Sequence, residues 1–409
     1  MISVDEAFQR VQESVRPLPT ETVPLSALPG RHLAQTICAD VDSPPHDKSV
    51  MDGFAIRASD FDDSQTVFDL GETIIAGAKP SSPLGQGQAA QIMTGAPIPD
   101  GADVVVMVEQ SEVLPQGDGT EKQIRLNIDS VAPEQNVLRR GANFHQGDLL
   151  FSAGHRVRPC DVGLLAEVGV AEALVGGLPS IAVLPTGNEL VSCDQTPQQA
   201  QIRNSNGPML TAMIDQLGLV ASELPIGRDD EDQLQALIQQ GLQSDVLILT
   251  GGVSAGTKDL VPGILARLGV RQVFHKVLVK PGKPIWFGIL DREPDQCVVF
   301  GLPGNPVSSL VGFRLFVRSA INILCGGQAE ALGSVEALLD GEHQTRGNRP
   351  TYWPGRRVAG EDGVRRVRAV DWKGSSDLGA LGKADGLIRF TVDNHHHPIG
   401  ERVEFYPFA

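Results

Sequence analysis

The sequence predicts a multidomain α/β protein with a central, mostly parallel α/β/α domain, flanking β-rich domains and a small C-terminal β-barrel. Three observations lead there. The chain has 409 residues, too many for one hydrophobic core. From Gly177 to the region of Cys325 strand-like runs alternate with helical periodicity, the signature of a parallel sheet covered on both faces. On either side the rhythm gives way to short strands broken by Gly, Pro and Asp.

Residues 3–15 read as an amphipathic helix, with Val4, Ala7, Phe8, Val11 and Val15 on one face. Extended segments follow around TVPLSAL and RHLAQTI. In SPPHDKSVMDGFAI the paired prolines forbid a helix, and Asp52-Gly53 marks a tight turn. Residues 47–138 are dominated by short strands and read as a β-rich domain. The stretch NVLRRGANFHQGDLLFSAGHRVRPCDVGLLAEVG reads as strands closing with a helix at 159–168. It is expected to return to the N-terminal segment, so that 1–46 and 139–176 form one elongated α+β piece. The α/β domain is placed at 177–326. Its strands are SIAVLPTG, VASELPIG, DVLILTGG, VFHKVLV, PIWFGIL and CVVFGLPG; its helices are PMLTAMIDQLG, DEDQLQALIQQGL, VPGILARLG and a long apolar one over 306–325. Arg314 and Arg318 make that last helix a core element and not a membrane span. Residues 327–409 form the barrel.

Composition narrows the function. A formal net charge of −16 argues against nucleic acid as a partner, which leaves a basic footprint. The five cysteines include no Cys-x-x-Cys pair, so neither zinc nor a disulfide framework is indicated. The N-terminus lacks a signal peptide's apolar stretch, and a reduced, cytoplasmic setting is expected, with no membrane association.

Against the acidic background, Thr257–Leu290 carries six Lys or Arg and one Asp. This inversion falls where the apolar run DVLILT ends in the glycine turn TGGVSAGTKD. Strand, glycine turn and helix together present backbone N–H groups and a helix dipole to an anion. Gly251 and Gly252 alone read as a tight connection; Ser254, Lys258 and Asp259 add a hydroxyl, a cation and a carboxylate. The turn is neither a Walker A loop nor a dinucleotide fingerprint. In FHKVLVKPGKP, Lys276 and Lys280 emerge from an apolar strand beside Lys283 and Pro284, which favours oxyanion binding over solvation. Glu189 ends another strand and could bind a metal or a ribose. Asp229 and Asp230 are weighed evenly between capping and metal binding. Asn305 before Pro306 reads as a helix cap. Carboxylates at Glu189, Asp229 and Asp259 beside basic loops suggest Mg²⁺-assisted chemistry on a phosphate. The run His395–His397 reads as a polar loop.

Eight of these motifs occur in an order similar to the molybdopterin molybdenumtransferase (MoeA) family, whose eukaryotic counterpart is the gephyrin E domain. They are SVMDGFAI, IMTGAPIPDGADVVVMVE, PTGNELV, RNSNGPML, IGRDDED, TGGVSAGTKD, KVLVKPGKP and GLPGNPVSS. The resemblance implies a central molybdopterin-binding domain and the last step of molybdenum cofactor synthesis. Molybdate enters adenylated molybdopterin, the pyrophosphate linkage is cleaved and AMP leaves. It implies a homodimer with composite sites, in which Asp52 and Thr94 reach in from the neighbouring subunit. Glu189, Asp229 and Asp259 would hold Mg²⁺ and the nucleotide end. Lys276 and Lys280 would bind pterin phosphate or molybdate, with Ser254, Lys283 and Ser375 of DWKGSSD helping; Gly251, Gly252, Pro284 and Asn305 complete the substrate-binding set. A molybdopterin adenylyltransferase and apo-molybdoenzymes are the implied protein partners.

The chain departs from the family pattern twice. Leu260 stands where members often carry tyrosine, and Pro354 aligns with an arginine near molybdate, for which Arg349 or Arg356 is the substitute. A molybdopterin adenylyltransferase would share the α/β domain and TGG loop but lack the flanking β domains. A scaffold with lapsed catalysis would not need Asp52, Asp229, Asp259, Lys276 and Lys280 together. Tungstate is the isosteric alternative to molybdate.

Overall fold

The computed structural model describes residues 1–62, 64–114, 122–253, 260–329, 333–360 and 363–408. The chain forms two compact units. One comprises Met1–Gln35, Ala153–Val162 and Glu172–Ala409; the other comprises Thr36–Ser152 and Gly163–Ala171.

In the larger unit a six-stranded sheet runs in the order Ala221–Glu223, Ile181–Pro185, Val246–Thr250, Asp295–Leu302, Trp286–Arg292, Arg271–His275. The first four are parallel, and the last two join antiparallel. Because side chains alternate across a strand, Val246 and Ile248 enter one core, and Leu247 and Leu249 the other. Both faces are therefore dry, as near-continuous apolar strands require.

The first core also takes the helix Val4–Ser14 through Ala7, Val11 and Val15. Ser3 caps that helix by accepting a hydrogen bond from the Glu6 N–H. The apolar stretch Pro306–Leu324 is long and apolar enough to cross a membrane but is 83% buried inside the protein. It contains a π-helical turn at Phe313–Val317.

A closed five-stranded barrel follows: Val335–Leu339, Arg366–Ala369, Thr351–Val358, Gly386–Phe390 and Arg402–Pro407 in spatial order. His397 is not in a polar loop. It is 1% exposed, faces Glu401 through Nδ1, and lies on a short ladder opposite His343. The His343 ring stacks on Phe390 and meets Trp353 edge-on. Its Nε2 has no hydrogen-bond partner among the described residues, and burial, then the neighbouring His397, pulls its pKa down to about 4. The fold therefore favours the neutral ring. Its contribution to stability is complete above the unfolded pKa of roughly 6.5 and is lost as pH falls towards 4. Urea midpoints at pH 7 and pH 4.5 should show a smaller acid loss for His343→Phe, which keeps the stack, than for the native chain. An identical loss would contradict this.

The smaller unit holds a six-stranded sheet in the order Val104–Met107, Gly53–Ile56, Gln88–Ile92, Val67–Ile74, Lys122–Leu126, Ser111–Val113. Asp52-Gly53, expected as a tight turn, instead leads into a strand. Gly53 is required by close approach: a Cβ there would overlap the Val106 carbonyl of the adjacent strand.

Candidate functional site

In the α/β domain the strands Ile181–Pro185, Val246–Thr250 and Asp295–Leu302 end side by side, and loops with the candidate residues leave from there, as ligand loops do in such sheets. Gly251 and Gly252 have φ of +90° and +63°. The Gly251 N–H donates to the Leu302 carbonyl at 3.0 Å. A Cβ on Gly251 would overlap the Thr186 carbonyl oxygen and lie in a backbone region strained for any other residue. Gly251→Ala is expected to cost about 2 kcal/mol or more, read from chemical denaturation. An unchanged midpoint would contradict that assignment.

The loop after Ile181–Pro185 is tied to the one after Ala221–Glu223. The Arg228 guanidinium donates to the carbonyls of Gly187, Asn188 and Leu190. Asn188 and Asp229 form a reciprocal pair at 2.9 Å: the Asn188 amide donates to Oδ2 of Asp229, and the Asp229 N–H donates to Asn188 Oδ1. Of the two aspartates, the second takes the capping role. Asp230 caps the helix Glu231–Gly241 by accepting from the Gln233 N–H, and Asp229 is left at the exposed loop. Asn188 is a functional candidate missed in the sequence, since the signal lies in its partner 41 residues away.

Glu189 is exposed. Its carboxylate occupies the space that a Cβ on Gly187 would need, 2.6 Å and 2.7 Å from its two oxygens. Glu189 and, tied to the adjacent Asn188, Asp229 place carboxylate oxygens on two linked loops, the ligand type Mg²⁺ takes together with phosphate oxygens and water. No group of three or more metal-capable side chains occurs among the described residues. Those residues do not include Asp259 or Ser254, so both of these candidates lie outside what the structure describes.

A second cluster adjoins the first through the 302–305 turn, where Gly304 lies beside Gly251. Lys280, Lys283, Pro284, Asn305 and Ser375 line one cavity of about 560 Å³. It also contains Arg349, Lys373, Trp353 and Trp372, of which only Arg349 was singled out in the sequence. Asn305 is not a side-chain cap. It precedes Pro306 at the helix start, yet its amide donates to the Ser375 hydroxyl at 2.9 Å, joining the α/β domain to the barrel. Lys280 is anchored through its backbone, which donates to the Pro350 carbonyl and accepts from the Tyr352 N–H. Its ammonium donates to the Arg346 carbonyl at 3.3 Å. Pro354 is buried in the barrel and Arg356 lines a different cavity, so of the two substitute arginines Arg349 is the one beside Lys280 and Lys283. Its guanidinium donates to the Val279 carbonyl.

Lys276 does not emerge from a strand. The strand ends at His275, and Lys276 sits beyond it with φ of +73°, an unfavourable conformation for a residue with a Cβ. It does not line the Lys280 cavity.

In the smaller unit Asp52 and Thr94 form a pair of their own. Thr94 donates both its backbone N–H, at 2.6 Å, and its hydroxyl, at 2.8 Å, to the same Asp52 oxygen. The N–H first, and then the hydroxyl, hold the Asp52 carboxyl below its usual range, so it is ionised at neutral pH.

Residues 2–169 match the family model described as the MoeA N-terminal region (domain I and II), and residues 182–322 match a probable molybdopterin binding domain. A molybdopterin molybdenumtransferase from Staphylococcus aureus (strain COL) is 35% identical over 330 residues, covering 80% of this chain and 76% of its own. Two crystal structures of molybdopterin biosynthesis MoeA proteins from Pyrococcus horikoshii are similar throughout. One has a TM-score of 0.81 at 26% identity with full coverage of both chains; the other has 0.79 at 28%, covering 100% of this chain and 99% of its own.

Proposed function

The chain belongs to the molybdopterin molybdenumtransferase family, and on that premise we propose that it inserts molybdate into adenylated molybdopterin with release of AMP. The observation that carries this reading is the Lys280 cavity, where three further cations, Lys283, Arg349 and Lys373, meet three hydroxyl- or amide-bearing side chains, Ser308, Ser375 and Asn305. Molybdate and the pterin phosphate are both anions, so bringing them together costs repulsion that these groups offset. Asp229 and Glu189, with Asp259, would hold Mg²⁺ at the nucleotide end. When bound, the ion neutralises charge on the phosphoanhydride oxygens.

The chain's own residues then position and stabilise. The glycine turn at Gly251 and Gly252 lets the backbone approach the nucleotide end. Lys280 and Lys283 hold the oxyanion end, and their fixed charges favour the state in which negative charge grows on the leaving phosphate. Asn305 fixes the Ser375 hydroxyl across the two domains. No protein nucleophile is needed: an oxygen of molybdate or water bonds to phosphorus as the phosphoanhydride bond breaks and AMP leaves, and the dithiolene sulfurs displace oxygen ligands of molybdate, which depart as water with the thiol protons.

Further parts of this reading rest on family membership. The protein acts as a cytoplasmic homodimer with Asp52 and Thr94 completing the partner's site. It receives substrate from a molybdopterin adenylyltransferase and passes product to apo-molybdoenzymes. Its functional division is 1–46 with 139–176, 47–138, 177–326 and 327–409.

Reconstitution tests the reading. Adenylated molybdopterin, molybdate and Mg²⁺ should activate an apo-molybdoenzyme only when this protein is added. Activation at the same rate without it would sink the proposal.

A further inference from the structure

We propose that the indole of Trp353 is the surface on which the substrate's pterin ring stacks, and that Trp372 and His343 hold that indole in place. This rests on reading the Lys280 cavity as the pterin and oxyanion end of the site. The cavity wall has two chemistries: a cationic part, from Lys280, Lys283, Arg349 and Lys373, and an aromatic part, from Trp353 and Trp372. A tetrahedral oxyanion uses the cations and little of the 560 Å³. A flat heterocycle bearing a phosphate uses both parts.

The aromatic part is built in advance. The Trp353 Nε1–H donates to the Val370 carbonyl at 2.8 Å, which fixes the plane of the ring. Trp372 meets it at 85° with centroids 4.8 Å apart. On the barrel side His343 meets it at 70° and 4.3 Å, and is itself stacked on Phe390 at 4.7 Å. Trp372 is only 8% exposed, whereas Trp353 is partly exposed, so Trp353 has the surface left for a ligand. A ring already held in one orientation loses little freedom on stacking, which favours binding.

The substrate contains two flat rings, pterin and adenine. Both are nitrogen heterocycles on a phosphate, and either could stack on an indole. The loops of Asp229 and Gly251 serve the nucleotide end, which leaves the pterin for Trp353.

Calorimetric titration with a pterin monophosphate and, separately, with AMP distinguishes the two rings. Trp353→Leu should weaken pterin phosphate binding about tenfold or more, Trp353→Phe should stay within about threefold of wild type, and AMP affinity should not change in either. In turnover, Trp353→Leu should raise KM for adenylated molybdopterin and keep kcat. Indole emission gives a second reading that does not need the leucine variant to fold: pterin phosphate should quench wild type more than Trp353→Phe.

Unchanged pterin phosphate binding in Trp353→Leu, an equal loss of AMP affinity, equal quenching in wild type and Trp353→Phe, or no binding of pterin phosphate by wild type would each overturn the stacking role. Unchanged KM in Trp353→Leu alongside normal AMP release removes only this inference. Absence of AMP release by wild type removes the proposed function, and this inference with it.

Discussion

Replacing Lys280 with methionine is expected to lower molybdate-dependent AMP release by about 10²- to 10³-fold, the loss typical of removing one preorganised donor from a charge-stabilising site. The substitution keeps the length and most of the volume of the side chain. It also spares the backbone bonds to Pro350 and Tyr352 that dock this segment on the barrel, so the fold should persist, as an unchanged melting curve would verify. One of the three ammonium donors goes to the Arg346 carbonyl, leaving two for an anion. A rate within about threefold of wild type would remove Lys280 from the chemistry.

The second large effect concerns Asp52. Asp52→Ala removes the acceptor of both Thr94 bonds and should by itself abolish most turnover. Its informative use is in combination. If each site takes Lys280 from one subunit and Asp52 from the other, a dimer pairing Lys280→Met with Asp52→Ala has one intact site. Random mixing makes about half the dimers mixed, so roughly a quarter of wild-type activity should return. If each site lay within one chain, every site in the mixture would be damaged and none would return.

Much of the α/β domain was legible because its signal is local. Apolar runs at Ile181–Pro185, Val246–Thr250 and Asp295–Leu302, separated by helical periodicity, say parallel sheet whatever surrounds them. The glycine turn was legible for the same reason: Gly251 and Gly252 both adopt positive φ, which few other residues tolerate. What escaped depended on partners far along the chain. Asn305 has the local context of a helix cap, and only the fold brings Ser375 to its amide. His397 sits in a polar stretch, yet the barrel closes around it and supplies Glu401 and Thr345. Asn188 and Trp353 drew no notice although Glu189 and Pro354 beside them did, because the partners that give them a role, Asp229 and Val370, lie far along the chain. Arg349 and Arg356 are seven positions apart and indistinguishable by type, but the strand Thr351–Val358 sends them to different cavities. Asp52-Gly53 was read through turn chemistry, whereas the glycine is there for a neighbouring strand.

The central claim is tested most directly by incubating the purified protein with adenylated molybdopterin and Mg²⁺, with and without molybdate, and measuring AMP. The account predicts AMP release that requires molybdate, saturates with it and is lost in Lys280→Met. No molybdate-dependent release, under conditions where another family member performs the reaction, would contradict it.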